Sequence, residues 1–379
     1  KMAALAATKN SILGLPTLVI RSSASTVVCL QPHRSKATYH HSLVPKGRGG
    51  RSSFSGIVAA VFGGNGFLGK YIVNRLGREG SQVVVPHRCD EYYVQPMKLM
   101  GDLGQIMFRQ YNLRQHDLIR DIVGNCTVVV NLLSKDYETR HFTFEDINIE
   151  APRNLAKICK EAGVPRLIHV SALGADMASP AKFLRTKAAG ERVVREEFPE
   201  AVIVRPAQMF GREDRFFNHF ANQRFFGGVP LFPSARRVVK RPVYVSDVAQ
   251  AIMSIINEKE ADGKTYELAG PNGYLLTDLV DFIYRVTRRP YIRYPVPRPI
   301  LRLIASGFEL TPFDPFLTRD MLELQHTTDV VQSGMPGLED LNVTPTTVEY
   351  AAIRGLRRHR SDRYFDLGID EVEGPVIAK

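Results

Sequence analysis

A short apolar run, Ile57–Phe62, leads directly into Gly63-Gly64-Asn65-Gly66-Phe67-Leu68-Gly69, and helical spacing follows from Phe67 to Arg78. Gly63, Gly66 and Gly69 stand in GxxGxxG spacing at that strand-to-helix junction. The first glycine permits the tight turn, and the second lets the backbone approach a pyrophosphate. The third lets the helix pack close to the sheet, so the positive helix N-terminus faces the phosphates. Such a glycine pattern is weak in isolation. Between a buried strand and a helix it is specific for a dinucleotide loop, and Gly63, Asn65, Gly66, Phe67, Leu68 and Gly69 are the candidate contacts.

The rest of the chain supplies the matching context. Strand-like runs at Gln82–Val85, Gln105–Gln110, Thr127–Leu133, Leu167–Ser171 and Ala201–Arg205 alternate with helical spacing at Arg114–Val123, Phe144–Ala162 and Pro180–Phe198. The strands are continuously apolar rather than alternating, which is the mark of a parallel sheet covered on both faces. The fold expected is α/β, a doubly wound parallel Rossmann sheet with a smaller C-terminal α-rich docking region. After about residue 210 the pattern loosens, with helices expected at Asp247–Asn257, Leu275–Thr287 and, in the tail, near Ala351–Arg360. The expected divisions are residues 1–38 as a transit segment and 39–55 as a linker. Residues 56–290 form the NADP-binding domain and 291–379 the docking extension.

The second strand runs into Val85-Pro86-His87-Arg88. An acidic residue there holds the ribose 2′-hydroxyl of NAD, whereas Arg88 favours the 2′-phosphate of NADP. Asp90, two residues on, leaves NAD open.

Several stretches, in order, resemble the extended and atypical short-chain dehydrogenase/reductases: the glycine loop, Asn131-Leu132-Leu133-Ser134, His169-Val170-Ser171-Ala172, Phe183 to Lys187, Arg205-Pro206 and Val243-Tyr244-Val245-Ser246-Asp247-Val248-Ala249. The resemblance covers roughly residues 56–290. It implies that Leu132, Leu133, Ser171, Lys187 and Pro206 lie around the nicotinamide and its ribose, and that Asn112 takes a position near adenine. It also implies a Ser, Tyr and Lys chemistry in which the Tyr hydroxyl moves the proton. Here the Tyr position of the YxxxK pattern is Phe183, which has no exchangeable proton and no acceptor. The site is expected to bind without turning over, and no catalytic residue is assigned. A Tyr reaching in from elsewhere would restore an active NADP-dependent reductase or epimerase of the mitochondrial matrix, so that alternative stays open.

A narrower resemblance, from about Tyr39 to about Phe365, is to the NADPH-binding accessory subunits of mitochondrial respiratory complex I. Its residues are Gly49-Gly50-Arg51-Ser52-Ser53, Phe210-Gly211-Arg212-Glu213-Asp214-Arg215-Phe216, Pro312-Phe313-Asp314-Pro315, Pro336-Gly337-Leu338-Glu339-Asp340-Leu341 and Leu356-Arg357-Arg358-His359-Arg360. It implies a matrix-side, peripheral position on the inner membrane, with other complex I subunits as partners at the junction of the two arms. One NADPH or NADP per chain is implied, held without electron transfer.

Charge and cysteine agree with that setting. The net charge is +11, but residues 1–53 hold eight basic residues and no acidic one, so the rest carries only +3. The basic balance therefore belongs to a Ser-, Ala- and Arg-rich leader with transit-peptide composition, and no nucleic-acid partner is expected. The four cysteines, Cys29, Cys89, Cys126 and Cys159, have no metal-type spacing, so neither a disulfide framework nor a metal site is expected. Val296–Leu310 places Ile300, Leu303, Ile304 and Phe308 at helical spacing beside Arg298 and Arg302. A basic amphipathic helix of this kind suits an inner-membrane lipid surface or a partner protein, or else simply faces the core.

Overall fold

Val58–Phe62 (β1) is buried along its whole length in the computed structural model of the chain. The structure describes residues 45–223, 228–311, 314–360 and 374–378. The expected transit segment, the start of the linker and Pro312-Phe313 lie outside the described residues. After β1 come the helix Phe67–Arg78 (α1) and the strands Gln82–His87 (β2) and Ile106–Gln110 (β3). The helix His116–Val123 (α2) precedes Val128–Asn131 (β4), and Ala151–Ala162 (α3) precedes Arg166–Val170 (β5). Lys182–Glu197 (α4), Val202–Pro206 (β6), Val245–Asn257 (α5) and Thr265–Leu268 (β7) complete the frame.

These strands form one sheet in the order β7-β6-β5-β4-β1-β2-β3, with every neighbouring pair parallel. The order reverses between β1 and β4. In a doubly wound sheet a ligand binds outside the carboxyl ends of the strands at such a reversal, and the glycine loop leaves β1 there. Leu68, Ile72, Val73 and Leu76 of α1 are buried and join the strand valines and α5 in the main apolar core.

Two expectations shift. The helix foreseen from Phe144 begins as a π-turn, Asp146–Glu150, before α3. Pro152 has no N–H to give the Asn148 carbonyl, so the α ladder is interrupted there. That carbonyl faces α4, where a Cβ on Gly190 would stand 2.0 Å from it. The tail helix foreseen at Ala351–Arg360 is Val348–Leu356, followed by a 3-10 turn at Arg357–His359. Thr265–Leu268, the seventh strand, was hidden in the loosened pattern after residue 210.

The later part of the chain packs back onto this frame. Leu338, Leu341 and Val343 join the main core. The helices Leu276–Thr287 (α6) and Val348–Leu356 supply residues to a second cluster around Phe210, Phe217 and Phe220. In a third, Leu301 and Ala305 of the helix Arg298–Glu309 (α7) meet Phe232, Leu317 and Leu322. Among the described residues no helix is long and apolar enough to cross a membrane.

His326 closes this third cluster. Its Nε2 accepts from the Phe232 N–H at 3.1 Å, which requires Nδ1 to carry the proton and donate to the Leu322 carbonyl at 2.8 Å. Burial holds its pKa at about 4, against an ordinary value of 6.5. A lowered folded value means the unfolded state binds the extra proton. The stability is therefore complete above pH 6.5 and is lost as pH falls from 6.5 towards 4. His326→Gln is expected to flatten the decline in unfolding free energy, measured by denaturant titration, between pH 7 and pH 5, by up to ~1.4 kcal/mol per pH unit. Parallel pH profiles for the two proteins would refute this.

Candidate nucleotide-binding site

The loop after β1 is shaped by its own backbone. Gly63 has φ +81°, and its carbonyl accepts from the Gly66 N–H at 2.9 Å. A Cβ at Gly69 would lie 2.5 Å from the carbonyl oxygens of both Gly63 and Gly64. The N-terminus of α1 has no side-chain cap and no acidic residue in its first turn, which leaves it open to an anion.

Across the reversal point lies a cavity of about 340 Å³, lined on the loop side by Gly63, Gly66, Phe67, Leu68 and Gly69. Its floor carries Leu132, Ser134 and Asp136 after β4, and Val170 to Gly174 after β5. Phe183, Leu184 and Lys187 of α4 form one side, and Pro206 to Met209 after β6 another. The remaining wall comes from Arg215 and Phe216 and, from far along the chain, Lys240 and the segment from Met321 to Asp329. That segment contains the helix Arg319–Gln325 (α8). The Asp320 carboxylate accepts from the backbone N–H groups of Lys182 and Phe183. Fully buried Lys240 donates to Asp329 at 3.0 Å and to the Leu324 carbonyl at 3.1 Å.

Lys187 is 2% exposed. Its ammonium donates to the Val170 carbonyl at 3.2 Å and the Leu133 carbonyl at 3.4 Å. Burial pushes its pKa down to about 8, against the opposing pull of Glu191 and Asp136. The Ser171 hydroxyl is buried with no protein partner, and a buried orphan of this kind calls for a ligand group or a water. His169 bonds to Asn131 at 3.1 Å, and burial, reinforced by Lys187, drives it down to about 3, so it is neutral. The Phe183 ring sits 5.8 Å from the Lys187 ammonium. No tyrosine is among the described residues lining the cavity.

Of the residues singled out from sequence, Gly63, Gly66, Phe67, Leu68, Gly69, Leu132, Ser171, Lys187 and Pro206 are thus brought to one cavity. Four are not. Leu133 is buried and offers its carbonyl to Lys187. Asn65 turns to Cys89, its Nδ2 at 3.5 Å from Sγ. Asn112 uses its side-chain oxygen to accept from the Arg114 N–H at 3.2 Å. Arg88 lies over the Phe142 ring, 5.4 Å from its centre. Arg88 and Asn112 sit at the ends of β2 and β3, the side of the reversal point where the adenosine half of a dinucleotide lies. Arg205, in the stretch resembling the nicotinamide neighbours, points away and pairs with Glu191 and Glu267. Lys240 and the residues from Met321 to Asp329 were missed, because no local motif marks a wall contributed from over a hundred residues away. The orphaned hydroxyl, the buried ammonium and the open helix end together fit a dinucleotide.

The profile of the NAD dependent epimerase/dehydratase family matches residues 59–269. The chain is 50% identical, over 93% of each chain, to the mitochondrial NADH dehydrogenase (ubiquinone) 1 alpha subcomplex subunit 9 of Rattus norvegicus. It is 37% identical to the mitochondrial NADH-ubiquinone oxidoreductase 40 kDa subunit of Neurospora crassa, over 85% of this chain and 84% of that one. Among solved structures, the NADPH-dependent quinone oxidoreductase QOR2 of Escherichia coli, complexed with NADPH, superimposes with a TM-score of 0.62 at 18% identity. That match spans 79% of this chain and 99% of the other, and shows a shared fold.

Proposed function

The chain belongs to the NAD dependent epimerase/dehydratase family and to the family of the alpha subcomplex subunit 9 of mitochondrial NADH dehydrogenase, and from that premise we propose that it is a non-catalytic accessory subunit of mitochondrial respiratory complex I that holds one NADP(H) structurally. The observation that carries the non-catalytic half is Phe183. The binding groups Ser171 and Lys187 remain in the cavity, while the position of the proton donor is a hydrocarbon ring and no tyrosine hydroxyl among the described residues lines the cavity. Removing a positioned acid or base typically costs about 10²–10⁴-fold in rate.

NADP(H), when bound, carries a hydride donor or acceptor. The described residues around the cavity give that chemistry no proton path through a tyrosine. What they supply is attachment. The α1 N-terminus would receive the pyrophosphate, the Lys187 ammonium and Ser171 hydroxyl would hold the nicotinamide ribose and its neighbours, and Arg88 would favour the 2′-phosphate. Bound ligand stabilises a fold by mass action, by about 2.7 kcal/mol at a hundred times its Kd. Because the cavity wall includes Met321 to Asp329, the nucleotide stabilises the same C-terminal region that presents α7. This is the route by which it supports assembly.

The subunit is placed peripherally on the matrix side of the inner membrane, at the junction of the two arms of the complex, with other complex I subunits as partners. Support comes from α7, where Ile300, Leu303 and Ile304 are exposed, Leu303 at 74%, and Leu310 just beyond is bare too. Arg298 and Arg302 flank this face, Arg302 being held by Glu323 at 2.7 Å. An apolar face with a basic edge suits the boundary between protein and anionic lipid. Leu303→Glu is expected to leave the melting temperature of the purified protein unchanged and to reduce its incorporation into the complex, read as the fraction found in the high-mass band on native gels. Unchanged incorporation would remove this surface from the proposal.

The direct test is to isolate the native protein gently, without added nucleotide, then measure its assembly size and identify bound nucleotide by mass spectrometry. NADP(H) held in a large inner-membrane assembly, without turnover, is the expected result. A free protein that oxidises NADPH with a sugar, quinone or steroid would replace this reading with that of an active reductase.

A further inference from the structure

Beyond the cavity, two arginines from the ends of adjacent strands converge on one ring. Arg88 follows β2, and Arg114 follows β3, which is paired with β2 through His87 and Gln110. Their guanidinium carbons lie 5.4 Å and 5.3 Å from the centre of the same Phe142 ring. Phe142 belongs to the loop after β4 and is held by a self-bonded turn. Its N–H donates to the Thr139 hydroxyl at 3.2 Å, and its carbonyl accepts from the Thr139 N–H at 3.0 Å. Arg114 is tethered by one donor, to the His141 carbonyl at 3.2 Å.

Neither guanidinium is paired with a carboxylate among the described residues. Asp146, whose charge Arg114 does feel, spends one carboxylate oxygen on the Thr143 N–H and hydroxyl. Two like charges gathered around one aromatic ring, with most of their ten donors unspent, form a site for a doubly charged anion. Its place in the fold says which one. The bond from Asn65 to Cys89 ties the glycine loop to the residue next to Arg88, so the pair flanks the end of the loop where the adenosine ribose would lie.

We propose that Arg88 and Arg114, positioned on Phe142, form a two-arginine clamp for the 2′-phosphate of NADP(H), with Arg114 a second specificity-determining residue. This rests on the nucleotide-binding reading above and deepens it. One arginine at the end of β2 already favours the phosphate. The second, supplied by the β3 side, makes the preference depend on a residue outside the strand-end position, and Phe142 limits the freedom each side chain loses on binding.

The test is equilibrium titration of the full-length protein, stripped of nucleotide, with NADPH and with NADH, for the wild type and for Arg88→Ala, Arg114→Ala, Arg114→Lys and Phe142→Leu. Arg114→Ala is expected to weaken NADPH about ten- to a hundredfold, the range of a charge-assisted hydrogen bond, and to leave NADH unchanged. Arg114→Lys keeps the charge and recovers part of the loss, and Phe142→Leu lowers the preference for NADPH while keeping the loop apolar. A wild type that prefers NADPH, with the preference lost in Arg88→Ala alone, would overturn the role of Arg114 and leave the nucleotide reading intact. A wild type that binds neither nucleotide would overturn the reading on which the clamp rests.

Discussion

Gly69→Ala is expected to leave the protein folded and unable to retain NADP(H). The added methyl carbon would stand 2.5 Å from the carbonyl oxygens of Gly63 and Gly64. Both neighbours are backbone and cannot swing aside, so α1 or the loop must move. Moving either misaligns the α1 N-terminus and the loop N–H groups. On the proposed binding mode at least two charge-assisted bonds to the pyrophosphate, each worth about 1.5–3 kcal/mol, would depend on that alignment, so affinity is expected to fall by a hundredfold or more. The accompanying loss of apo stability is that of an overpacked contact, about 1–3 kcal/mol. Gly307→Ala is the control. It lies on α7 with nothing within 4 Å of the new carbon, and an exposed helical glycine replaced by alanine gains about 0.5–1 kcal/mol. Nucleotide content by mass spectrometry and apo melting curves separate the two effects. Full nucleotide content in the Gly69 variant would mean that the cavity does not hold its ligand through this loop.

What could be seen in the sequence were the features with a local cause. The turn after β1 needs three glycines at fixed spacing, and continuous valine runs at β2 and β4 belong only to strands covered on both faces. Both are visible within ten residues. The absent tyrosine was visible for the same reason, since YxxxK spans one turn of α4. The wall of the cavity made by Lys240 and Asp329 was not visible. Lys240 sits in Val238-Val239-Lys240-Arg241, where nothing distinguishes a buried ammonium from a surface one; its role exists only because Asp329 arrives 89 residues later. Arg88 shows the intermediate case. Its position after β2 was legible, but its partnership with Arg114 and Phe142 depends on sheet order and on a loop after β4. The apolar spacing of α7 was equally plain, yet only packing decides that Leu301 and Ala305 turn inward and Leu303 outward.

The same dependence on distant partners makes Arg205→Met the most destabilising single change expected. Arg205 makes three hydrogen bonds to Glu191, at 2.7 Å, 3.0 Å and 3.2 Å, and one to Glu267, at 3.2 Å. Both glutamates are buried, and the second oxygen of Glu267 accepts from the Gln332 N–H at 2.9 Å. Removing the cation strands two buried carboxylates, and breaking a buried pair in this way costs about 3–5 kcal/mol. The damage reaches the cavity as well. Glu191 is one helical turn beyond Lys187 on α4, and Gln332 follows the wall segment that ends at Asp329, so the network ties two walls of the site together. Arg205→Met should therefore lower both the melting temperature and the affinity for NADP(H). Adding Glu191→Gln and Glu267→Gln in the same chain removes the stranded charges and should recover much of the stability, because neutral amides can be satisfied where unpaired carboxylates cannot. A triple variant no more stable than Arg205→Met would show that the cost lies in lost packing of the arginine stem instead of in charge, and the network would then be a filler between α4 and β7 with no electrostatic hold on the site.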